Sequence, residues 1–179
     1  MRTFVAAEIH NDAVLNSIAK LQSDFKINAT PVSKQNMHFT MLFLGEITED
    51  VAENVKQVLA TISFKPIEAN FTHVGAFPDT RFPRVIWIGV DEKASNQLVE
   101  LASQVEQKLA PLGFQSDKPF KPHLTIFRIK NNIDDISKEL DTLKTIQLGH
   151  DTITEIKFKK SILTPSGPIY TDLQVIKAK

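Results

Sequence analysis

The chain has no cysteine, which removes disulfides, thiolate catalysis and cysteine-built zinc or iron–sulfur sites together. It has only six glycines in 179 residues, and neither Gly-x-x-x-x-Gly-Lys nor Gly-x-Gly-x-x-Gly occurs, so the two common phosphate-cradling loops are absent. An excess of one charge is missing as well: 21 basic residues balance 21 acidic ones. Proteins that coat long nucleic acids are usually strongly basic, which argues against duplex DNA as a partner but leaves a short RNA end open. No apolar run approaches the ~20 residues needed to span a bilayer. Glu8 interrupts the N-terminal stretch too soon for the apolar region of a signal peptide. A soluble, cytoplasmic protein without membrane contact is expected. No His-Glu-x-x-His or similar cluster offers metal ligands, and Ser161 and Ser166 lack the sharp glycine-flanked turn of a serine nucleophile. No metal and no cofactor are therefore expected.

What is present is an ordinary globular composition, 42% hydrophobic and 23% charged, enough for one core. Arg2 to Ile9 reads as a strand. Asn11 or Asp12 caps a helix on which Val14, Leu15, Ile18, Leu21 and Phe25 recur at helical spacing. Met37 to Leu44 reads as a strand, and Thr48-Glu49-Asp50 opens a helix with Val51, Val55, Val58, Leu59 and Ile62 inward. Ile67 to Phe77 and Val85 to Val90 are strands about a turn at Pro78. Leu98, Leu101, Val105 and Leu109 mark a long helix. Phe120 to Ile129 is a strand, and a short helix surrounds Ile136, Leu140 and Leu143. Ile153 to Leu163 and Ile169 to Ile176 are late strands about the turn Pro165-Ser166-Gly167-Pro168. No linker marks independent domains. The expectation is an α+β fold of one domain, residues 1–179, with two lobes of mainly antiparallel sheet and outer helices around a central cleft.

Two runs carry the chemistry: His38-Phe39-Thr40-Met41 and His123-Leu124-Thr125-Ile126, about half the chain apart. Strand side chains alternate between faces, so each histidine points the same way as its threonine. Phe39, Met41 and Phe43 then form an apolar face opposite His38 and Thr40, and Leu124 and Ile126 face the core opposite His123 and Thr125. A polar pair on a half-buried strand must be hydrogen-bonded or hydrated, since burying it unpaired costs ~1–3 kcal/mol per group. Either the pairs are solvated or internally satisfied, or they meet at a cleft as acid, base and hydroxyl donors. His150-Asp151-Thr152 has the same spacing, but Gly149 and Asp151 make it read as a turn entering a strand. His10 and His73 lack partners and read as structural.

With these runs in place, the chain resembles the 2H phosphoesterase superfamily, and within it the RNA 2',3'-cyclic phosphodiesterases, historically called 2'-5' RNA ligases. The likeness extends from Met1-Arg2-Thr3-Phe4-Val5-Ala6-Ala7-Glu8-Ile9 through Asn36-Met37-His38-Phe39-Thr40-Met41-Leu42-Phe43-Leu44-Gly45. It continues through Gly75-Ala76-Phe77-Pro78, Pro83-Arg84-Val85-Ile86-Trp87 and Pro119-Phe120-Lys121-Pro122-His123-Leu124-Thr125-Ile126 to Gly167-Pro168-Ile169-Tyr170. The resemblance implies two pseudo-twofold-related lobes around a water-filled groove. It also implies metal-independent opening of a terminal RNA 2',3'-cyclic phosphate to a 2'-phosphate, and reverse 2'-5' ligation. His38 would be the proton donor and His123 the proton acceptor, with Thr40 and Thr125 on the phosphate oxygens.

Arg128, Phe77 and Tyr170 are further candidates for substrate binding. Strand parity places Arg128 opposite His123, so it reaches a phosphate only through a bulge or a strand end. Phe77 and Tyr170 either stack on a base or pack in the core or at the rim. Lys157, Lys159 and Lys160 either guide RNA or guard a strand edge, the simpler reading. The expected partners are short RNA or nucleotide ends bearing a cyclic phosphate, and the protein is expected to be a monomer. Two alternatives stay open: a phosphodiesterase for a small cyclic nucleotide such as ADP-ribose 1'',2''-cyclic phosphate, and a binding module without turnover.

Overall fold

Three helices start where a short polar side chain closes the first turn. Asn11 accepts from the Val14 N–H, Thr48 from Val51 and Asp91 from Ala94, each satisfying a donor that a helix start leaves open. A computed structural model describes Met1–Lys179. The caps begin α1 (Asp12–Asp24), α2 (Glu49–Leu59) and α3 (Glu92–Leu109), and a short α4 (Ser137–Asp141) follows. The strands are β1 (Arg2–Glu8), β2 (Thr30–Pro31), β3 (His38–Glu46), β4 (Ile67–Phe77) and β5 (Val85–Val90). They continue with β6 (Leu124–Arg128), β7 (Gln147–Ile153), β8 (Glu155–Thr164) and β9 (Gly167–Lys177).

Two antiparallel sheets result, ordered β3-β1-β8-β9 and β2-β6-β5-β4-β7. The first sheet draws its strands from both ends of the chain and the second largely from the middle. The lobes are therefore interleaved in sequence rather than cut at its midpoint. One cluster of 39 buried residues runs through both sheets. Phe39 of β3 stacks on Phe71 of β4 at 6.0 Å, and burying each ring contributes ~1.5–3 kcal/mol.

The strands that carry the motifs are not regular. Ala6 pairs with Thr40 and Val5 with Leu42, so Met41 is an extra residue in β3. Trp87 pairs with Thr125 and Ile86 with Phe127, so Ile126 is an extra residue in β6. Each bulge follows its threonine and flips the faces beyond it. This corrects the expected apolar face of β3: Leu42 turns inward at 3% exposure and Phe43 outward at 64%. It also meets the condition for Arg128, which the bulge brings to the face of Thr125. The Ile126 carbonyl accepts from Val32 N–H and from Gln22 Nε2, both at 2.9 Å, so the backbone group displaced by the bulge stays satisfied.

Two other expectations change. His150-Asp151-Thr152 lies inside β7, paired with β4, and not in a turn. Asp151, a poor strand former, is held there because its carboxylate accepts from the His10 and Asn11 N–H groups ahead of α1. Lys157 and Lys159 do not guard an edge, because β8 lies between β1 and β9. Lys159 is 5% exposed.

Candidate active site

The two imidazoles are held in the same way. His38 Nδ1 lies 2.8 Å from the Asn36 carbonyl and His123 Nδ1 lies 2.6 Å from the Lys121 carbonyl. A carbonyl only accepts, so each Nδ1 carries the proton and donates, leaving Nε2 as the working nitrogen. Both carbonyls belong to the residue two places before the histidine, so the tautomer is fixed by the approach to each strand. Aromatic rings complete each seat. Phe4 lies 5.0 Å from His38 and Tyr170 meets it edge-on at 5.3 Å. Phe77 meets His123 edge-on at 4.9 Å, with Trp87 behind at 6.3 Å. Trp87 in turn covers Gly75, where a Cβ would stand 2.3 Å from the indole ring. Only glycine leaves room for that ring.

His38, Thr40, His123, Thr125 and Arg128 line one cavity of about 180 Å³. The β8–β9 turn at Ser166, Gly167 and Pro168 and the ring of Tyr170 form its far wall. Asn36 ties that wall to the approach of β3, its Nδ2 donating to the Pro168 carbonyl at 3.2 Å. Two imidazoles, two hydroxyls and a guanidinium thus converge on a space the size of a phosphate group and its immediate substituents. No group of three or more histidine, aspartate or glutamate side chains is arranged to hold a metal ion.

The floor beside His38 is ionic. Glu8 pairs in register with His38, and its carboxylate meets both Lys157, at 2.8 Å, and Lys159. Asp172 meets the same two amines at 2.9 and 2.5 Å. Burial opposes ionisation of Glu8 and Asp172, but the hydrogen bonds and charges of the lysines outweigh it and hold both carboxyls below their usual range. Burial likewise opposes the charge on Lys157, and the two carboxylates outweigh it and push this amine above its usual range. In His38 burial is the largest influence and, with the charges of Lys159 and Arg128, pulls the ring down to about 4 against the Asn36 carbonyl and Glu8. Burial also lowers His123, opposed by the Lys121 carbonyl and helped by Arg128.

Of the residues singled out in the sequence, His38, Thr40, His123, Thr125, Arg128 and Tyr170 line the same cavity. Phe77 lies beyond His123, in the wall of a second hollow. Both aromatic candidates pack on the imidazoles. The remaining histidines lie elsewhere: His10 meets Glu155, His150 meets Glu68, and His73 packs over Gly89 and Trp87. Phe4, Trp87, Gln22 and the Glu8–Lys157–Lys159–Asp172 cluster escaped the sequence reading. Alternation could have placed Glu8, Lys157 and Lys159 each on one face of its strand. It could not say that β1 and β8 are neighbours.

Comparison with known proteins agrees with the fold. A family model described as LigT like Phosphoesterase matches residues 9–87 and again 88–170, the halving that separates the two motifs. The RNA 2',3'-cyclic phosphodiesterase of Archaeoglobus fulgidus is 36% identical over 99% of this chain and 100% of its own. That of Methanocaldococcus jannaschii is 38% identical over 99% of each. Among solved structures, a Thermus thermophilus protein superimposes with a TM-score of 0.82 at 24% identity, covering 99% of this chain and 97% of its own. Escherichia coli LigT complexed with 3'-AMP gives a TM-score of 0.79 at 22% identity, covering 99% and 97%.

Proposed function

Because the chain belongs to the LigT-like phosphoesterase family, we propose that it opens the terminal 2',3'-cyclic phosphate of RNA to leave a 2'-phosphate. The observation that carries this reading is the convergence of two His-x-Thr pairs and Arg128 on one phosphate-sized cavity. Neutral His123 takes a proton from water through Nε2 as the water oxygen bonds to phosphorus. The P–O3' bond breaks, and His38 Nε2–H gives its proton to the departing O3'. One water is consumed, and the two rings end in exchanged protonation states. Thr40, Thr125 and Arg128 hold the non-bridging oxygens in line and stabilise the charge that grows on them. A 5'-hydroxyl of a second RNA in place of water gives a 2'-5' bond by the same proton movements. Residues 1–179 act as one two-lobed unit in this scheme, since each lobe supplies one imidazole, and a monomer suffices.

The cleft by itself does not favour a standing proton on His38, whose pKa is about 4. The substrate corrects this. An anion ~4 Å away at an effective dielectric of ~20 contributes about 4 kcal/mol, or ~3 pKa units, enough to lift the pKa of the ring back to its ordinary range and let it hold a proton. The bound phosphodiester thus helps to charge its own acid. The test is a short RNA ending in a 2',3'-cyclic phosphate, incubated with EDTA, with the product isomer identified. A 2'-phosphate is expected. A 3'-phosphate, or no opening, overturns the reading.

A further inference from the structure

The reaction centre opens on two hollows that share Thr40 and His123. The smaller holds the reacting groups. The larger, about 710 Å³, runs past Phe77 to Phe43, Phe120, Lys118 and Lys121, with no acidic side chain in its wall. The proton scheme makes no use of it. Yet it falls within the ~300–1,000 Å³ of ordinary ligand sites, whereas the smaller cavity is too tight for a whole nucleotide.

Phe43 is the telling residue. It stands on the motif strand and would be buried if β3 were regular. The bulge at Met41 turns it out to 64% exposure, on the face that carries His38 and Thr40. An exposed ring held by a strand, in a hollow whose wall carries two lysines and no carboxylate, matches how single-stranded nucleic acid is bound: bases stack on aromatic faces while cations follow the phosphates. The topology of the substrate supplies the rest. A cyclic phosphate closes the 3' end, so the RNA continues only through the 5' oxygen of its last ribose. That continuation must leave the centre, and the larger hollow is the exit with matching chemistry.

Resting on the activity proposed above, we infer that the larger hollow is the subsite for the RNA chain leading to the cyclic end. One base stacks on Phe43, and the upstream phosphates meet Lys118 and Lys121. The preferred substrate is then an oligonucleotide and not a small cyclic nucleotide.

The experiment compares a pentanucleotide ending in a 2',3'-cyclic phosphate with the matching mononucleoside 2',3'-cyclic phosphate, using the whole chain. Wild type is expected to favour the pentanucleotide in kcat/KM by about tenfold or more, through a lower KM. Loss of one stacked base is equivalent to roughly 5- to 150-fold, so Phe43→Ala should reduce that preference at least ~5-fold. Lys118→Ala with Lys121→Ala should reduce it too. It should also flatten the dependence of log KM on log salt by ~0.7 for each phosphate that is no longer neutralised. Equal use of both substrates by wild type, or variants that slow both in proportion, overturns the subsite while leaving the activity standing. If wild type opens neither substrate, the activity itself fails and the subsite falls with it.

Discussion

In β3 the chain faces the cleft at His38, the core at Phe39, the cleft at Thr40, the core at Met41 and Leu42, and the cleft again at Phe43. After His123, the run through β6 repeats that order through Leu124, Thr125, Ile126 and Phe127 to Arg128. Each motif is thus six residues long, with the bulge as its fourth member, and the two copies part at the sixth. Arg128 enters the smaller cavity and Phe43 the larger hollow. Beneath them the floors differ too. His38 rests on a sheet that carries four paired charges, while His123 rests on Phe77, Trp87 and a bare glycine. The backbone is duplicated and the floors are divided: paired charges lie beneath His38, and packed rings over a glycine lie beneath His123.

That division predicts different failures for equivalent losses. His38→Ala and His123→Ala should each lower kcat by ~10²–10⁴, the usual contribution of a placed acid or base. An aryl phosphodiester whose p-nitrophenolate departs unprotonated separates them. It should restore most of the rate to His38→Ala and little to His123→Ala, because only the donor becomes dispensable. Equal rescue of both variants would remove the assignment of roles.

A second contrast lies in acid stability. The folded pKa of His38, about 4, is below the ~6.5 of an unfolded chain. The unfolded state therefore binds a proton first as pH falls. Folding free energy should be at full value above ~6.5 and fall by roughly 3 kcal/mol as pH drops through about 4. Glu8 and Asp172, also lowered, extend the loss at still lower pH. Urea titrations between pH 7 and 4 should show that slope in wild type and a flatter one in His38→Gln. His123→Gln should keep most of it. Parallel slopes in all three would mean that burial of His38 contributes nothing special.

These contrasts also show what the sequence could disclose. The two His-x-Thr pairs, the strands that carry them and the antiparallel α+β plan follow from local period and spacing, which act over a few residues. The bulges do not. Alternation through Met41 placed Phe43 in the core and left Arg128 on the wrong face, because an extra residue in a strand leaves no mark until the partner strand is known. The lysines of β8 failed for the same reason. Whether a strand is edge or interior is decided by residues some 150 positions away, and only the meeting with Glu8 explains why an amine at Lys159 tolerates burial. Asp151 misled in the opposite direction, since its preference for turns was overridden by two backbone donors ahead of α1.

The shape-governed side can be probed through Gly75. A methyl group there meets the body of the Trp87 indole, which has no flexible end to swing aside. Its buried Nε1 has no hydrogen-bond partner, so shape holds the ring. Gly75→Ala should cost ~1–3 kcal/mol in overpacking. By tilting Trp87 and Phe77 against His123, it should lower kcat about tenfold, equivalent to ~1.4 kcal/mol, with KM little changed. Trp87 is the sole tryptophan, so its emission reports the displacement directly. A kcat loss without a spectral change would show that the ring is not the link.

The smallest effect should come from the third His-x-Thr. His150 and Thr152 share one face of β7 just as the other two pairs share theirs, and β7, like β3, is the outer strand of its sheet. The exposed His150 ring is met by the exposed Glu68 at 2.7 Å, and Thr152 donates to that same carboxylate. Exposed ion pairs of this kind contribute ~0–1 kcal/mol. His150→Ala should leave kcat within twofold and stability within ~0.5 kcal/mol, as for other surface changes. What separates this tripeptide from the other two is not its residues but its place. No aromatic seat fixes the ring and no second imidazole faces it, whereas β3 and β6 border each other. A marked loss of turnover in His150→Ala would mean that the spacing alone carries function, and the contrast between motif and decoy would have to be abandoned.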